Sequence, residues 1–341
     1  IGGYSWAVGT TPGGTDVRGF VDVFGATAAT DSTLALAYGT TYFVTVRATN
    51  RAGLEVSMSS DGVTPVSSRN EVAVGLGAGG SGYVAEFEDG AAGGAFRSWS
   101  LVPWDLYNQR NGETHVAQGD LNGDGLDEQV VGFGNTGLGW LAVRSSLDGG
   151  RAIVRWLQVP WQPYNTYSGI TWPACGNVDN DPRSEIVVGL GEYRTNGGWM
   201  VLFDDESTGC ALLGWRRPNW PAYNTVDGQL HPAIGDVDGD GRGEVVLGMG
   251  PAASGWLFVM EDGPGGMRSR TWIRVPWTAY NAANGETWPA SGDLDGDGRA
   301  EIAVGLGRGG AGQVCLFEDA AAGHAMTRWV TMPWSLYNAN S

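Results

Sequence analysis

The sequence predicts an all-β chain: a five-bladed β-propeller of four-stranded antiparallel blades, preceded by a small β-sandwich-like segment. Three observations predict it. Five segments read alike, EVAVGLG, EQVVGFG, EIVVGLG, EVVLGMG and EIAVGLG, beginning at Glu71, Glu128, Glu185, Glu244 and Glu301, in steps of 57, 57, 59 and 57 residues. A second landmark keeps the same beat: Trp104, Trp161, Trp220, Trp277 and Trp334 are each followed by x-x-Tyr-Asn. Finally, 57 glycines and 16 tryptophans in 341 residues, with no long helical periodicity, describe many turns and many aromatics rather than packed helices.

Each unit divides into four short strands. In the last, Thr287–Gly292 (TWPASG) is the first strand, Glu301–Gly307 the second, Gln313–Glu318 (QVCLFE) the third and Arg328–Met332 (RWVTM) the fourth. Glycine-rich turns separate them, and apolar and polar residues alternate along the third and fourth. Blades repeated around an axis leave few exposed edges, which favours the propeller over a straight solenoid of the same units. Residues 63–341 are assigned to it and residues 1–62 to the preceding module. The final linker copy, Asn338 to Ser341, stops one residue before its glycine, so the parent chain is expected to continue.

Composition narrows the function. Acidic residues outnumber basic ones 37 to 20, a net charge of −17, and no lysine is present. Such a chain does not suit nucleic acid or an anionic membrane surface, and no apolar run reaches membrane-spanning length. Three cysteines (Cys175, Cys210, Cys315) are too few for a disulfide framework.

Between the first and second strands lies an acidic loop: DLNGDGLDE at 120–128, NVDNDPRSE at 177–185, DVDGDGRGE at 236–244 and DLDGDGRAE at 293–301. Oxygen-bearing side chains at positions 1, 3 and 5 converge, a glycine at 6 permits a sharp turn, the carbonyl at 7 turns inward and Glu at 9 closes the cage. Calcium accepts six to eight hard oxygen ligands in flexible geometry, whereas magnesium is stricter; the absence of paired His and Cys argues against zinc and copper. The alternative is a set of metal-free Asp/Gly turns. Against it, the four ligand sets hold 14 carboxylates, which would repel one another without cations. Four Ca²⁺ would reduce the charge from −17 to about −9.

The pattern D-x-D-x-D-G-x-x-E followed by φφGφG resembles the FG-GAP/VCBS repeats of integrin-α-type and bacterial secreted propellers, over residues 63 to 338. The resemblance implies calcium at Asp120, Asn122, Asp124, the Leu126 carbonyl and Glu128. The same positions give Asn177, Asp179, Asp181, the Arg183 carbonyl and Glu185, then Asp236, Asp238, Asp240, the Arg242 carbonyl and Glu244. The last set is Asp293, Asp295, Asp297, the Arg299 carbonyl and Glu301. Asn177 at position 1 and Pro182 at position 6 make the second loop the weakest candidate. The first repeat, Val63–Glu71, lacks the acids and is expected to hold no metal.

The linker (Val/Met)-Pro-Trp-x-x-Tyr-Asn, with Asn-Trp at Asn219–Trp220, is the candidate ligand site: Trp104, Tyr107, Asn108; Trp161, Tyr164, Asn165; Trp220, Tyr223, Asn224; Trp277, Tyr280, Asn281; and Trp334, Tyr337, Asn338. Aromatic rings beside an amide suit stacking on a sugar ring, and their repetition would make a multivalent lectin. The other reading is that they fill the wedge between blades. No catalytic set is expected. His115 and His231 replace Trp172 and Trp288 of sister repeats, and neither His324 nor any cysteine has an evident partner.

Residues 1–62 fall outside the repeat. Tyr4–Val8, Ser32–Leu36 and Thr41–Ala48 read as strands, and GTTYFVTVRATNRAGL resembles the later strands of a fibronectin type III module, with Tyr42 or Phe43 as corner aromatic. The opening strands would then lie upstream of Ile1 or come from a neighbouring molecule. The functional expectation is an extracellular or cell-surface binding module, loaded with about four Ca²⁺ and directed at a glycan or a protein partner. The alternative is a subunit of an extracellular filament or matrix, with a polysaccharide-active enzyme a distant third.

Overall fold

The computed structural model describes residues 2–31, 33–34, 36, 40–63, 71–88, 93–146, 150–179, 181–261 and 267–339, without the Tyr337 side chain. The chain divides into two compact units, Ile1–Ser68 and Arg69–Ser341. Among the described residues it is all-β apart from short helices, and the strands form six antiparallel sheets, five of four strands and one of three.

The first unit holds β1 (Gly3–Gly9), β2 (Arg18–Phe24), β3 (Phe43–Thr49) and β4 (Glu55–Ser59) in the order β2-β1-β3-β4. The expected strands at 4–8 and 41–48 form, while β2 was not foreseen. The strand expected over Ser32–Leu36 does not form at 33, 34 and 36, and positions 32 and 35 lie outside the described residues. Tyr42 is buried and bridges Val63. Among the described residues this unit is a single sheet, so the second layer of a fibronectin type III sandwich is not seen.

The second unit holds the repeats. Repeat one comprises β5 (Val72–Gly75), β6 (Tyr83–Phe87) and β7 (Phe96–Leu101). Repeat two comprises β8 (Thr114–Gly119), β9 (Glu128–Phe133), β10 (Trp140–Arg144) and β11 (Ile153–Gln158). Repeat three has β12 (Thr171–Gly176), β13 (Glu185–Leu190), β14 (Met200–Phe203) and β15 (Leu212–Arg216). Repeat four has β16 (Leu230–Gly235), β17 (Glu244–Met249), β18 (Trp256–Glu261) and β19 (Arg268–Arg274). Repeat five has β20 (Thr287–Gly292), β21 (Glu301–Leu306), β22 (Gln313–Phe317) and β23 (Met326–Thr331). The chain therefore carries six sheets rather than five, because the first unit forms a four-stranded sheet of its own. Most of the stretch Val63–Glu71, read as repeat one's shortened loop without acids, lies outside the described residues, at 64–70.

The φφGφG signature has a steric origin. A Cβ on Gly75, Gly132, Gly189 or Gly248 would overlap the main chain of the next repeat's first strand at Thr114, Thr171, Leu230 or Thr287. Only glycine lets neighbouring sheets approach this closely. First strands therefore pack in sequence, β8 on β12, β12 on β16 and β16 on β20. They also curve: Trp172 and Trp288, two repeats apart, have ring centroids 4.7 Å from each other. A straight rod of sheets could not bring them into contact. His115 stacks on Trp172 and His231 on Trp288, each pair with centroids at 3.4 Å.

The linkers form short helices that the all-β reading missed: α1 (Asp105–Arg110), α2 (Gln162–Tyr167), α3 (Pro221–Val226), α4 (Thr278–Ala283) and α5 (Ser335–Asn338). Six residues or fewer are too short for a periodic signal and marginal in isolation. Tertiary bonds hold them instead. The Tyr107 hydroxyl donates to Glu113 O (2.6 Å) and accepts from Gly134 N (2.8 Å). Tyr280 repeats this with Glu286 O (2.5 Å) and Gly307 N (2.8 Å). These linkers are thus tied across the open end of the next repeat's first strand pair, to the residue before its first strand and the residue after its second, which explains why the two sequence landmarks share a period. Tyr107→Phe leaves a carbonyl and an amide without their partner, at an expected cost of about 1–3 kcal/mol. Urea denaturation of the variant against the parent chain measures it.

Candidate functional site

Apolar strands on either side force the loop-closing glutamate inward. Glu128, Glu185, Glu244 and Glu301 open β9, β13, β17 and β21 and are nearly or fully buried. One oxygen of each accepts a main-chain N–H at loop position 2, from Leu121 (3.2 Å), Val178 (2.7 Å), Val237 (2.9 Å) or Leu294 (2.6 Å). The second oxygen of Glu185 and of Glu244 is buried with no hydrogen-bond donor. A buried carboxylate oxygen without a donor is unfavourable unless something positive meets it.

Other acids converge on these glutamates. Carboxylate oxygens lie within 4.8 Å of one another in Asp179/Glu185/Asp204, Asp181/Glu185/Asp205, Asp236/Asp238/Glu244, Asp293/Asp295/Asp297 and Asp295/Glu301/Glu318. Two results differ from the sequence expectation. The loop of repeat three, ranked weakest for Asn177 and Pro182, gathers five acids, as many as repeat five, because Asp204 and Asp205 just after β14 compensate. The loop of repeat two gathers no such group among the described residues; its third-strand acids are replaced by Ser145 and Ser146. The contributing acids were missed, yet they had a signal: Phe203-Asp204-Asp205 and Phe317-Glu318-Asp319 keep the repeat's beat.

Electrostatics at these glutamates favours a positive partner. Burial, reinforced by neighbouring carboxylates, pushes Glu128 up to about 7, Glu185 up to about 8 and Glu244 up to about 7. Arginines supply part of the balance. The Arg270 guanidinium lies 2.6 Å from Asp238 and 3.4 Å from Glu261 in repeat four. Arg183 and Arg299, at loop position 7, reach back to the main-chain oxygens of Asn122 and Asp238 in the preceding loops, both at 3.3 Å. Their side chains staple successive repeats together; Arg242 instead bonds Asp240 within its own loop at 2.8 Å.

The linker residues separate into two roles. Tyr107, Tyr164, Tyr223 and Tyr280 are buried and bonded to main chain. The amides of Asn108, Asn165, Asn224, Asn281 and Asn338 donate to carbonyls six residues earlier, at 2.7–3.1 Å. These Asn amides and the four Tyr hydroxyls are committed to the fold; the side chain of Tyr337 is outside the described set. The tryptophans remain partly accessible, and Trp334 is 64% exposed. Trp104 meets Trp140 and Trp156 around a cavity of ≈ 360 Å³, also lined by Pro103. Trp161 meets Trp199 and Trp215 around another of ≈ 360 Å³, lined also by Pro160 and Asn196. The third-strand tryptophans were not anticipated, although Gly-Trp at 139–140, 198–199 and 255–256 recurs with the repeat.

Among the described residues, the remaining titratable groups do not assemble a nucleophile. Burial pushes the thiols upward, Cys210 to about 11 and Cys315 to about 12, so neither is a thiolate at neutral pH. His115 and His231 place Nδ1 at 2.8 Å from Thr171 O and 2.9 Å from Thr287 O. Each carbonyl holds an Nδ1–H tautomer inside an aromatic stack.

Comparison with known proteins agrees on the repeat. Residues 236–304 match the family model of the FG-GAP-like repeat. Integrin alpha pat-2 of Caenorhabditis briggsae is 25% identical over 231 residues, 59% of this chain, and the chain spans only 18% of that protein's length. Among solved structures, the exotype rhamnogalacturonan lyase YesX aligns at TM-score 0.44 and 14% identity, over 97% of this chain and 62% of that one. The Dos1 propeller aligns at TM-score 0.42 and 12% identity, over 86% and 66% respectively. The fold assignment rests on the sheets themselves.

Proposed function

We propose that this chain is an extracellular, calcium-stabilised propeller module that acts in adhesion, binding its target through the linker face of the repeats. The observation that carries the calcium reading is the pair of buried, donorless oxygens on Glu185 and Glu244, each facing carboxylates that converge within 4.8 Å. A hard divalent cation satisfies both at once, and an all-oxygen donor set suits calcium. Asp179, Asp181, Glu185, Asp204 and Asp205 would hold one ion. Asp236, Asp238 and Glu244 would hold a second, and Asp293, Asp295, Asp297, Glu301 and Glu318 a third. The ion's chemistry is structural: it binds only the folded loop and so stabilises by mass action.

The FG-GAP-like match and the integrin alpha likeness support the adhesion reading. Curvature of the first strands supports a ring of sheets, with the linker face presenting the same tryptophans at successive repeats, a multivalent geometry. The test is retention of the intact chain on a glycan array and on surfaces coated with extracellular matrix proteins, in millimolar calcium and in chelator. Calcium-dependent retention is expected. Equal retention in chelator would remove the link between ion and binding face, and no retention on any surface would remove the adhesion reading.

A further inference from the structure

Three tryptophan boxes recur in the second unit with nearly the same geometry. In repeat two, Trp156 stands perpendicular to Trp104 (84°, centroids 5.9 Å apart) and to Trp140 (89°, 6.3 Å). In repeat three, Trp215 stands at 88° to both Trp161 (6.1 Å) and Trp199 (6.2 Å). In repeat four, Trp272 stands at 87° to both Trp220 (5.6 Å) and Trp256 (6.2 Å). Repeat five keeps Trp277 and Trp329 (83°, 6.0 Å) but has Gln313 where the third indole would be, so its box is incomplete. Packing alone would leave such boxes closed, whereas the first two surround open cavities.

The lining decides what chemistry fits. The first cavity is walled by Pro103, Trp104, Trp140 and Trp156, and the second adds only Asn196 as a polar side chain other than indole N–H. A sugar needs several polar partners for its hydroxyls, and the linker groups that could have served are withdrawn: the four Tyr hydroxyls and the Asn Nδ2 groups bond main chain, and the Asn Oδ1 atoms are buried. An anion is opposed by the negative faces of the rings and by a chain charge of −17. A cation is attracted by both, and the protein already uses these indoles so. The Arg217 guanidinium carbon sits 5.0 Å from the Trp199 ring centroid, and that of Arg274 sits 5.3 Å from Trp256. Neither arginine lines the two cavities. An alkylated ammonium spreads its charge over methyl groups, needs no hydrogen-bond acceptor and is the class that aromatic boxes recognise.

We infer that the three boxes are binding sites for alkylated ammonium groups of the trimethylammonium type. This rests on the binding-module reading and names the ligand chemistry of its linker face. The test is titration of the intact calcium-loaded chain with choline, followed by tryptophan fluorescence and calorimetry. Controls are 3,3-dimethylbutan-1-ol, in which carbon replaces the charged nitrogen, and methyl glucoside. Three choline sites are expected, with affinity for the alcohol lower by about tenfold and no response to the sugar. Trp140→Gln, Trp199→Gln and Trp256→Gln copy the residue that repeat five already carries at Gln313, so folding is expected to survive. Combined stepwise, they should reduce the sites from three to none.

Choline-competed pelleting with phosphatidylcholine vesicles would assign the group to a lipid head. Binding of a trimethyl-lysine peptide without pelleting would assign it to a protein side chain. Either supports the inference. Equal affinity for the alcohol, saturable sugar binding, or an unchanged site number in the triple variant would overturn it. Choline binding that persists while melting is insensitive to calcium would remove the calcium reading and leave this one standing.

Discussion

Removing calcium is expected to lower the melting temperature of the intact chain by on the order of 10–30 °C. Each ion bound only in the folded state adds RT ln(1 + [L]/Kd), about 1.4 kcal/mol at tenfold saturation and about 2.7 kcal/mol at a hundredfold. Three filled clusters would contribute about 4–8 kcal/mol, and a unit this large shifts by about 2–4 °C per kcal/mol. Differential scanning calorimetry with and without chelator measures the shift, and metal analysis counts the ions. Three are expected rather than the four implied by the loop sequences, because repeat two assembles no acid cluster among the described residues. An unchanged midpoint, with no metal retained after dialysis, would end the calcium reading.

The same clusters set opposite pH dependences with and without the ion. In chelator, Glu185 and Glu244 titrate at about 8 and 7 in the folded chain. They titrate near 4.5 once unfolded. The folded chain then binds more protons across that window, so its stability falls as pH rises from about 4.5 to 8. With calcium present the carboxylates must ionise to bind, and stability falls as pH is lowered instead. Melting curves at pH 5 and pH 8, each with and without calcium, should show this reversal.

Glu86→Ala is expected to cost about 3–5 kcal/mol, the penalty for removing one partner of a buried ion pair. Glu86 is fully buried on β6 of repeat one, 3.3 Å from Arg151 of repeat two. Its other oxygen accepts from Ser100 Oγ (2.9 Å) and Gln129 Nε2 (3.0 Å), and Gln129 in turn accepts from Arg144 (2.9 Å). Arg144 and Arg151 are both buried, so the substitution strands two guanidinium groups; burial, then the Arg151 charge, already holds Arg144 down at about 10. Urea denaturation reports the loss. The pair Glu86→Leu with Arg151→Met should recover much of it, since an apolar pair of similar volume carries no desolvation cost. A loss under 1 kcal/mol for Glu86→Ala would show that water reaches the network.

The periodic features were legible because each is a local necessity. The φφGφG glycine is required wherever one sheet meets the next, and the linker tyrosine wherever a short helix is tied across a strand pair. The boundaries of β20 were read to the residue, since a first strand bounded by a linker glycine and an acidic loop has little freedom. The six-residue helices escaped because their stability comes from Tyr and Trp contacts made after the chain has turned. The status of the repeat-three site escaped for a similar reason: Asp204 and Asp205 lie some twenty residues beyond Glu185 and join it only through the antiparallel pairing of β13 with β14.

Strand pattern, repeat length and the positions of the acidic loops follow from the order of residues alone, because alternation, turn glycines and Asp spacing act over a few residues. Which loops gather enough carboxylates for an ion, which linker side chains are spent on main-chain bonds, and which tryptophans stand together as boxes were decided only by tertiary structure. Those outcomes depend on groups from different strands arriving at one point, and burial there determines whether a charge or a ring still needs a partner.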